Sequence, residues 1–305
     1  MIRHGDPYWR AWRAASWRRP YPMPETITMP DVGTDGELPA PAPGVSPGLA
    51  NVSPGLAAGG EQAGRRRAAA WLDDHLGDYA GDRDDLAADR TCRLSPYLRF
   101  GCVSPLELAL TALPLPGGEE FVRQLCWRDF FHQVTAAFPD MARADYRAAE
   151  RDWTEDPDAV AAWRAGQTGI PIVDAGMRQL AAEGFMHNRA RMITASFLTR
   201  DLGIHWRHGY AHFFGLLADG DVACNAGNWQ WVAGTGNSTR PGRVLNPLRQ
   251  AQRFDPRGEY VRRYLPELAG LDGAAAHTPW TLPPAVRRQF SYPDPIGGGT
   301  VHKRT

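Results

Sequence analysis

Asp219-Gly220-Asp221-Val222-Ala223-Cys224-Asn225-Ala226-Gly227-Asn228-Trp229-Gln230-Trp231 is the stretch on which the reading of this chain turns. Two carboxylates two residues apart, an Asn and a Trp-x-Trp make a poor hydrophobic plug. They make a good wall for a flat, hydrogen-bonding, redox-active ring. The same tract also reads as a surface loop anchored by two tryptophans. Eleven tryptophans stand in 305 residues, and Trp153 and Trp206 share with Trp229 a place beside polar residues that a plain core would not choose.

Working outward, a helix over about Gly209 to Ala218 delivers the tract. Before it, Met186 to Arg200 reads as a helix on which Asn188, Arg191, Met192 and Ala195 follow i, i+3, i+4, i+7. A buried Arg191 needs a partner, and Asp219 or Asp221 can supply it. A preceding helix starts at Asp174 as its cap and is interrupted by Gly184. Glu119 to Phe138 is a further helix, with acidic residues in its first turn and Pro139 as its stop. Its Leu125, Phe130 and Val134 can face a core, while Gln124, Trp127, Arg128 and Phe131 share one face. That mixed face suits a ligand wall, and equally a helix rim with a cation–π pair. Thr91-Cys92-Arg93-Leu94-Ser95-Pro96-Tyr97-Leu98 offers hydroxyls, helix-start N–H groups and one Arg, the parts of a diphosphate cradle. Ser95 before Pro96 also fits an ordinary N-cap.

The chain has few alternating β-branched runs and no Gly-x-Gly-x-x-Gly after a strand, so an all-α fold is expected and a Rossmann unit is not. Residues 1–24, rich in Trp, Arg and Pro, form an irregular N-terminal segment around the helical-looking Tyr8–Arg13. Residues 25–63 hold a direct repeat, Val45–Ala50 and Val52–Ala57, and read as a flexible Pro/Gly-rich linker. Residues 64–280 are the helical body, and 281–305 a Pro- and Gly-rich tail on the surface.

Net charge is zero, so no global field draws in nucleic acid. Lys303 is the only lysine among 34 basic residues; the rest are Arg, whose planar fork suits phosphates and rings. Cys92, Cys102, Cys126 and Cys224 form no C-x-x-C pair, so neither a metal site nor a disulfide framework is expected. No apolar run reaches the roughly 18 residues of a membrane span, and no signal-peptide core is present, so a soluble, cytoplasmic protein is expected.

Together these segments resemble the DNA photolyase/cryptochrome family. The matching runs are Thr91–Leu98, Trp127–Phe130, Gly169–Leu180, Met186–Leu198, Asp219–Asp221, Asn228–Trp231 and Asn246-Pro247, in the family's order from about Tyr79 to Leu268. The resemblance is to the multi-helical FAD-binding domain of a class I cyclobutane pyrimidine dimer photolyase. It implies FAD in a U-shaped conformation. Tyr79, Thr91, Arg93, Leu94 and Ser95 match positions at its phosphates and ribityl chain. Arg191 and Asp219 match a salt bridge beside the isoalloxazine, Asp221 a contact to the flavin or its adenine side, and Asn225 the residue facing N5; Arg128 and Asn188 belong to the same cofactor set. Trp229, Trp206 and Trp153 match a chain that relays electrons from the surface. The resemblance implies repair of cyclobutane pyrimidine dimers in DNA by light-driven electron transfer from reduced FAD, on a lesion flipped out of the duplex. Gln124, Trp127, Met192 and Trp231 match the lesion wall, with Asn188 beside them, and Arg189, Arg240 and Arg243 are candidates for phosphate contacts.

The departures are specific. The family's N-terminal antenna domain has no counterpart, and residues 1–24 resemble a remnant of the interdomain segment that normally follows it, so the chain resembles a truncated photolyase or one with a misassigned start, and no antenna chromophore is expected. Gln124 stands where cyclobutane-dimer enzymes carry Glu, and Gln is typical of the (6-4) branch; Asn188 and Met192 stand where that branch carries His, which favours cyclobutane dimers. Cys92 replaces a common Ser, Phe185 a common Trp, and the loop before Asn246 is slightly short. The alternatives are a cryptochrome-like photoreceptor without repair and an inactive fragment. A monomer is expected.

Overall fold

The computed structural model describes residues 6–21, 24–28, 53–147, 151–238, 240 and 242–296. Its longer helices are α1 (Asp6–Ala14), α2 (Glu61–Asp74), α3 (Pro105–Ala112), α4 (Gly118–Ala137), α5 (Pro157–Ala165), α6 (Pro171–Glu183), α7 (Asn188–Ser196), α8 (Trp206–Leu216), α9 (Val222–Ala233), α10 (Pro247–Phe254) and α11 (Glu259–Tyr264). Among the described residues there is no strand, only an isolated bridge between Thr154 and Ile204. The all-α expectation holds.

Caps set the boundaries. Ser104, Asp156, Asp221 and Asn246 each accept a backbone N–H from the first turn of the helix that follows. α7 and α8 are capped by imidazoles: His187 Nδ1 accepts from Arg189 N at 3.1 Å and His205 Nδ1 from Arg207 N at 3.2 Å. The helix expected over Met186–Arg200 is therefore shorter, and it ends in a π-helical turn, Phe197–Asp201. α6 starts at Pro171, not Asp174, because Pro at the first position has no N–H to satisfy. Asp174 instead sits fully buried in the first turn and accepts Thr168 N, Thr168 Oγ1 and Gly169 N, fixing the preceding turn.

Two apolar clusters form the core. One joins α5 to α11 around the fully buried Trp163, Trp206 and Tyr260. The other joins α1 to α4 around Trp9, Trp71 and Phe121. The seam between them is α4 on α9, so close that a Cβ at Gly227 would lie 2.1 Å from Phe131 Cδ1. α8 crosses α9 equally closely, with a Cβ at Gly209 placed 2.0 Å from Trp229 Cη2. The Trp229 ring is hemmed in by Trp163 and Phe213 and has no room to yield. Gly209→Ala is expected to cost about 3 kcal/mol, at the upper end of overpacking effects. Urea denaturation checks it; a midpoint unchanged from wild type contradicts this packing.

Three peripheral segments are anchored to the body. The helical piece expected at Tyr8–Arg13 is α1, irregular chain follows it through Tyr21, and α1 docks on α4 through Trp12 Nε1 to Asp129 Oδ2 at 2.9 Å and Arg13 to Glu119 at 2.9 Å. The end of the 25–63 linker is anchored. Ser53 is buried, its Oγ donates to Ala181 O at 3.1 Å, Gly55 N donates to Ala182 O at 2.7 Å, and α2 already begins at Glu61. The first copy of the repeat lies outside the described residues. The tail has no buried residue over 281–296, and it is tied down there: Tyr292 OH donates to Asp174 and Ile296 N to Thr168 O, because the buried turn before α6 offers acceptors that the tail satisfies. Residues 297–305 lie outside the described set.

Candidate functional site

α7 and α9 face each other, and the turn before α9 brings Asp219 onto Arg191. The pair is bidentate, with Nη1–Oδ1 at 3.1 Å and Nη2–Oδ2 at 2.8 Å. Asp219 is only 6% exposed at its side chain, and Arg191 Nε also donates to Met186 O at 2.8 Å. Of the two acidic residues the sequence offered, the fold selects Asp219. Arg191 also lies 5.6 Å from the Phe185 ring centroid, and Arg93 lies 4.4 Å from the same ring. Phe185, the departure from Trp, thus brings two cationic residues of the expected cofactor set together. Arg93 adopts a left-handed φ of 51° and pairs with Asp89 at 2.6 Å and Glu183 at 2.8 Å. The strained backbone marks a residue held in place by its surroundings.

Two buried polar atoms near these arginines have no hydrogen-bond partner: Thr91 Oγ1 and His187 Nε2. Buried polar atoms are nearly always satisfied, so such exceptions fit a site built for a polar guest. Leu94 is fully buried. Ser95 opens a one-turn helix, Ser95–Arg99, without capping it, so the N-cap reading fails and its hydroxyl is not taken up in that role. Tyr79 lies a step away, packed on Trp71 and Phe121 with ring centroids 5.4 and 6.0 Å apart.

His187 is 1% exposed, and burial pulls its pKa down to about 4. A neutral ring is also what its Nδ1 cap requires. The depressed pKa means the unfolded chain binds the proton first, so this stability is full above about pH 6.5 and falls by up to ~3 kcal/mol as pH drops towards 4. Asp174 and Asp255, pushed up by burial, act with the opposite sign. The check is therefore a difference. His187→Asn keeps a cap that cannot protonate, and its denaturation midpoint should vary less between pH 4 and 7 than that of wild type. Parallel profiles contradict the assignment.

Asp221 has both oxygens engaged. Oδ1 accepts Cys224 N at 2.8 Å, capping α9, and Oδ2 meets His132 Nε2 at 2.9 Å. Burial raises this carboxyl, but the Cys224 N–H and His132 outweigh it and hold it below the ordinary carboxylate range. Ligand atoms of His132, Asp221 and Cys224 lie within 4.8 Å of one another. Burial and Asp221 push the Cys224 thiol far up, which opposes the thiolate a metal would need. Asn225 is one turn along α9, its Nδ2 donating to Tyr210 O at 3.1 Å, which leaves its carbonyl oxygen as the free end.

Of the three tryptophans expected to relay electrons, Trp153 and Trp206 are linked through His205, and Trp206 and Trp229 through the packing of α8 on α9. Trp153 lies 4.7 Å from His205, and His205 5.6 Å from Trp206. Trp206 opens α8, and Trp229 packs against Gly209 one turn later. Trp206 and Trp229 are buried, while Trp153 is half-buried beneath the Arg151 guanidinium at 4.5 Å. His205 was missed in the sequence although it adjoins Trp206. Asp145, which accepts the Trp206 indole N–H at 2.7 Å, gave no signal across 61 positions.

On α4, Trp127 and Arg128 stand half-buried above the Phe131 seam, and Arg128 reaches Leu98 O at 3.5 Å. Gln124 Nε2 donates to Glu120 O at 3.2 Å within its own helix. On α7, Asn188 is exposed and contacts Met192 Sδ at 3.9 Å. α9 packs against both α4 and α7 and carries Trp231, half-buried, on its last turn. Arg243 is exposed in the turn that Leu245 N ties to Ser196 Oγ. Arg189, expected at DNA phosphates, pairs with Asp84 at 2.8 Å and covers Phe254 at 4.3 Å. His132, four residues after Arg128 on the same face, was legible from spacing and overlooked.

A family model described as the FAD binding domain of DNA photolyase matches residues 121–302, more than half of the sequence. The chain belongs to the DNA photolyase family. It is 53% identical over 292 residues to a deoxyribodipyrimidine photo-lyase from Streptomyces griseus, covering 95% of this chain and 63% of that relative. It is 38% identical to a cryptochrome DASH from Gloeobacter violaceus, covering 93% of this chain and 61% of the relative. The crystal structure of a bacterial class III photolyase from Agrobacterium tumefaciens superimposes with a TM-score of 0.88 at 34% identity, covering 98% of this chain and 66% of that one. The chain thus spans about 63% of the photolyase relative's length. No helix among the described residues is long and apolar enough to cross a membrane.

Proposed function

We propose that this chain binds FAD between α7, α9 and the Thr91–Ser95 turn and repairs cyclobutane pyrimidine dimers in DNA by light-driven electron transfer. The observation that carries the reading is the bidentate Arg191–Asp219 pair, its carboxylate buried, together with the unpartnered Thr91 and His187 atoms and with α9, which follows Asp219 and carries Asn225 and Trp229. FAD supplies blue-light absorption and one-electron chemistry when bound. The chain's residues do the rest. Arg93, Thr91 and Ser95 hold the phosphate and ribityl portion, and the Arg191–Asp219 pair fixes charge beside the ring. Asn225 presents its carbonyl oxygen there, and Asp221 and Arg128 complete that edge. Trp153, Trp206 and Trp229 pass electrons inward from the surface.

Trp127, Trp231, Met192, Gln124 and Asn188 form the lesion wall, apolar faces with two amides to orient the bases. Repair needs no nucleophile, in keeping with a site of arginines, amides and indoles. Arg243 supplies a phosphate contact at the rim, which makes DNA binding salt-dependent. The similarity to a cryptochrome DASH favours, as a second reading, a photoreceptor on the same scaffold.

Lesion preference is tested by binding. Oligonucleotides carrying one thymine cyclobutane dimer or one (6-4) product are titrated with FAD-loaded protein in the dark. Tighter binding of the cyclobutane dimer is expected, and equal binding or preference for the (6-4) product contradicts the assignment of Asn188 and Met192.

A further inference from the structure

Trp206 is fully buried, and its only polar atom, the Nε1–H, donates to Asp145 Oδ1 at 2.7 Å. A donor bound to a carboxylate at this distance is charge-assisted. The loop that presents Asp145 is bolted to α9. Tyr146 N donates to Gln230 Oε1 at 2.7 Å, Gln230 Nε2 donates to Ala144 O at 3.0 Å and to Met141 O, and Arg147 N donates to Thr235 O at 2.7 Å. Gln230 is fully buried and directly follows Trp229. The residue next to one relay indole therefore fixes the carboxylate on another.

The charges along the chain differ in sign. At Trp153 the Arg151 guanidinium lies over the ring at 4.5 Å, which opposes a positive charge on that indole. At Trp206 a carboxylate faces the ring N–H. An indole that has lost one electron is cationic and far more acidic at nitrogen than the neutral ring.

We infer that Asp145 is the proton acceptor for Trp206 when that indole gives up an electron, so that the oxidising equivalent is held at Trp206 as a neutral radical until an electron arrives from Trp153. The inference deepens the relay reading and rests on it. In the step, Trp206 loses one electron to the oxidised Trp229 indole, which is restored to its neutral form. The one-electron oxidant upstream is photoexcited flavin. The Trp206 Nε1–H bond breaks and an Asp145 Oδ1–H bond forms, leaving a neutral indolyl radical and a neutral carboxylic acid. Return of the electron requires the proton to come back, which slows recombination.

The test uses two readouts on the full chain. In an indole ¹H–¹⁵N spectrum, which needs neither light nor turnover, the Trp206 resonance (assigned by Trp206→Phe) is expected far downfield and to move upfield in Asp145→Asn. An unmoved resonance overturns the contact. Asn is isosteric and keeps an oxygen that accepts the indole N–H, so the fold is retained; Asp145→Glu restores a basic acceptor. In flash absorption of the FAD-loaded protein, wild type and Asp145→Glu are expected to give the neutral-radical spectrum with a solvent deuterium effect on its rise. Asp145→Asn is expected to lose that signal and show the radical-cation spectrum with faster decay. The same neutral-radical spectrum in Asp145→Asn overturns the proposal while leaving the relay intact. A transient identical in wild type and Trp206→Phe overturns the relay reading and the proposal with it.

Discussion

Trp206→Phe is expected to reduce the rate of flavin photoreduction to less than about a tenth of wild type, at least ~1.4 kcal/mol on the limiting barrier. Phenylalanine fills most of the space but is much harder to oxidise than indole. Trp206 is the link between the half-buried Trp153 and the buried Trp229, with His205 against its ring at 5.6 Å. The substitution frees Asp145, which is only half-buried and can be hydrated, so the fold should survive. Repair by chemically reduced protein should be unchanged, because the relay restores the reduced flavin and does not touch the lesion. The measurement is bleaching of the oxidised flavin band under blue light with a thiol donor. Photoreduction equal to wild type contradicts the assignment of Trp206 to the relay.

Asp219→Asn is expected to weaken FAD binding roughly 30-fold, about 2 kcal/mol. Breaking a buried pair from one side leaves the partner charge uncompensated, at about 3–5 kcal/mol when both groups are enclosed. Arg191 is 25% exposed, so part of that cost is relieved by water. The remaining neutral amide can take one of the two guanidinium bonds but not the charge. Apo-protein stability should fall as well, and the double variant Arg191→Met/Asp219→Asn should recover part of that stability without recovering flavin binding. Equilibrium dialysis against FAD, with urea denaturation alongside, separates the two effects. Wild-type flavin affinity in Asp219→Asn contradicts the site.

The parts of the fold that the sequence made legible are those with a local period or cap. Helix α4 follows from its acidic first turn and Pro139, and the Arg191 stripe from i, i+3, i+4, i+7 spacing. The Arg191 partner was narrowed to two residues, and only the turn after α8 decides between them. What was illegible has no local signature. Asp145 reaches Trp206 across 61 positions, and the tail reaches Asp174 across 118. Pro- and Gly-rich composition suggested that residues 25–63 were flexible and 281–305 lay on the surface, but composition does not reveal that backbone groups elsewhere offer acceptors that anchor 53–55 and 292–296. Asp174 was read as a cap because it precedes a helical pattern, whereas Pro171 opens the helix a turn earlier and leaves Asp174 for the interior. The imidazole caps of α7 and α8 were missed because His is an uncommon cap, available only where burial keeps the ring neutral.

The central claim is that this chain repairs cyclobutane dimers with light. The direct measurement is loss of the dimer from a thymine-dimer oligonucleotide, using FAD-loaded, chemically reduced protein under blue light beside a dark control. The account predicts light-dependent restoration of the two thymines and none in the dark. An intact dimer after illumination, with FAD demonstrably bound, would contradict it.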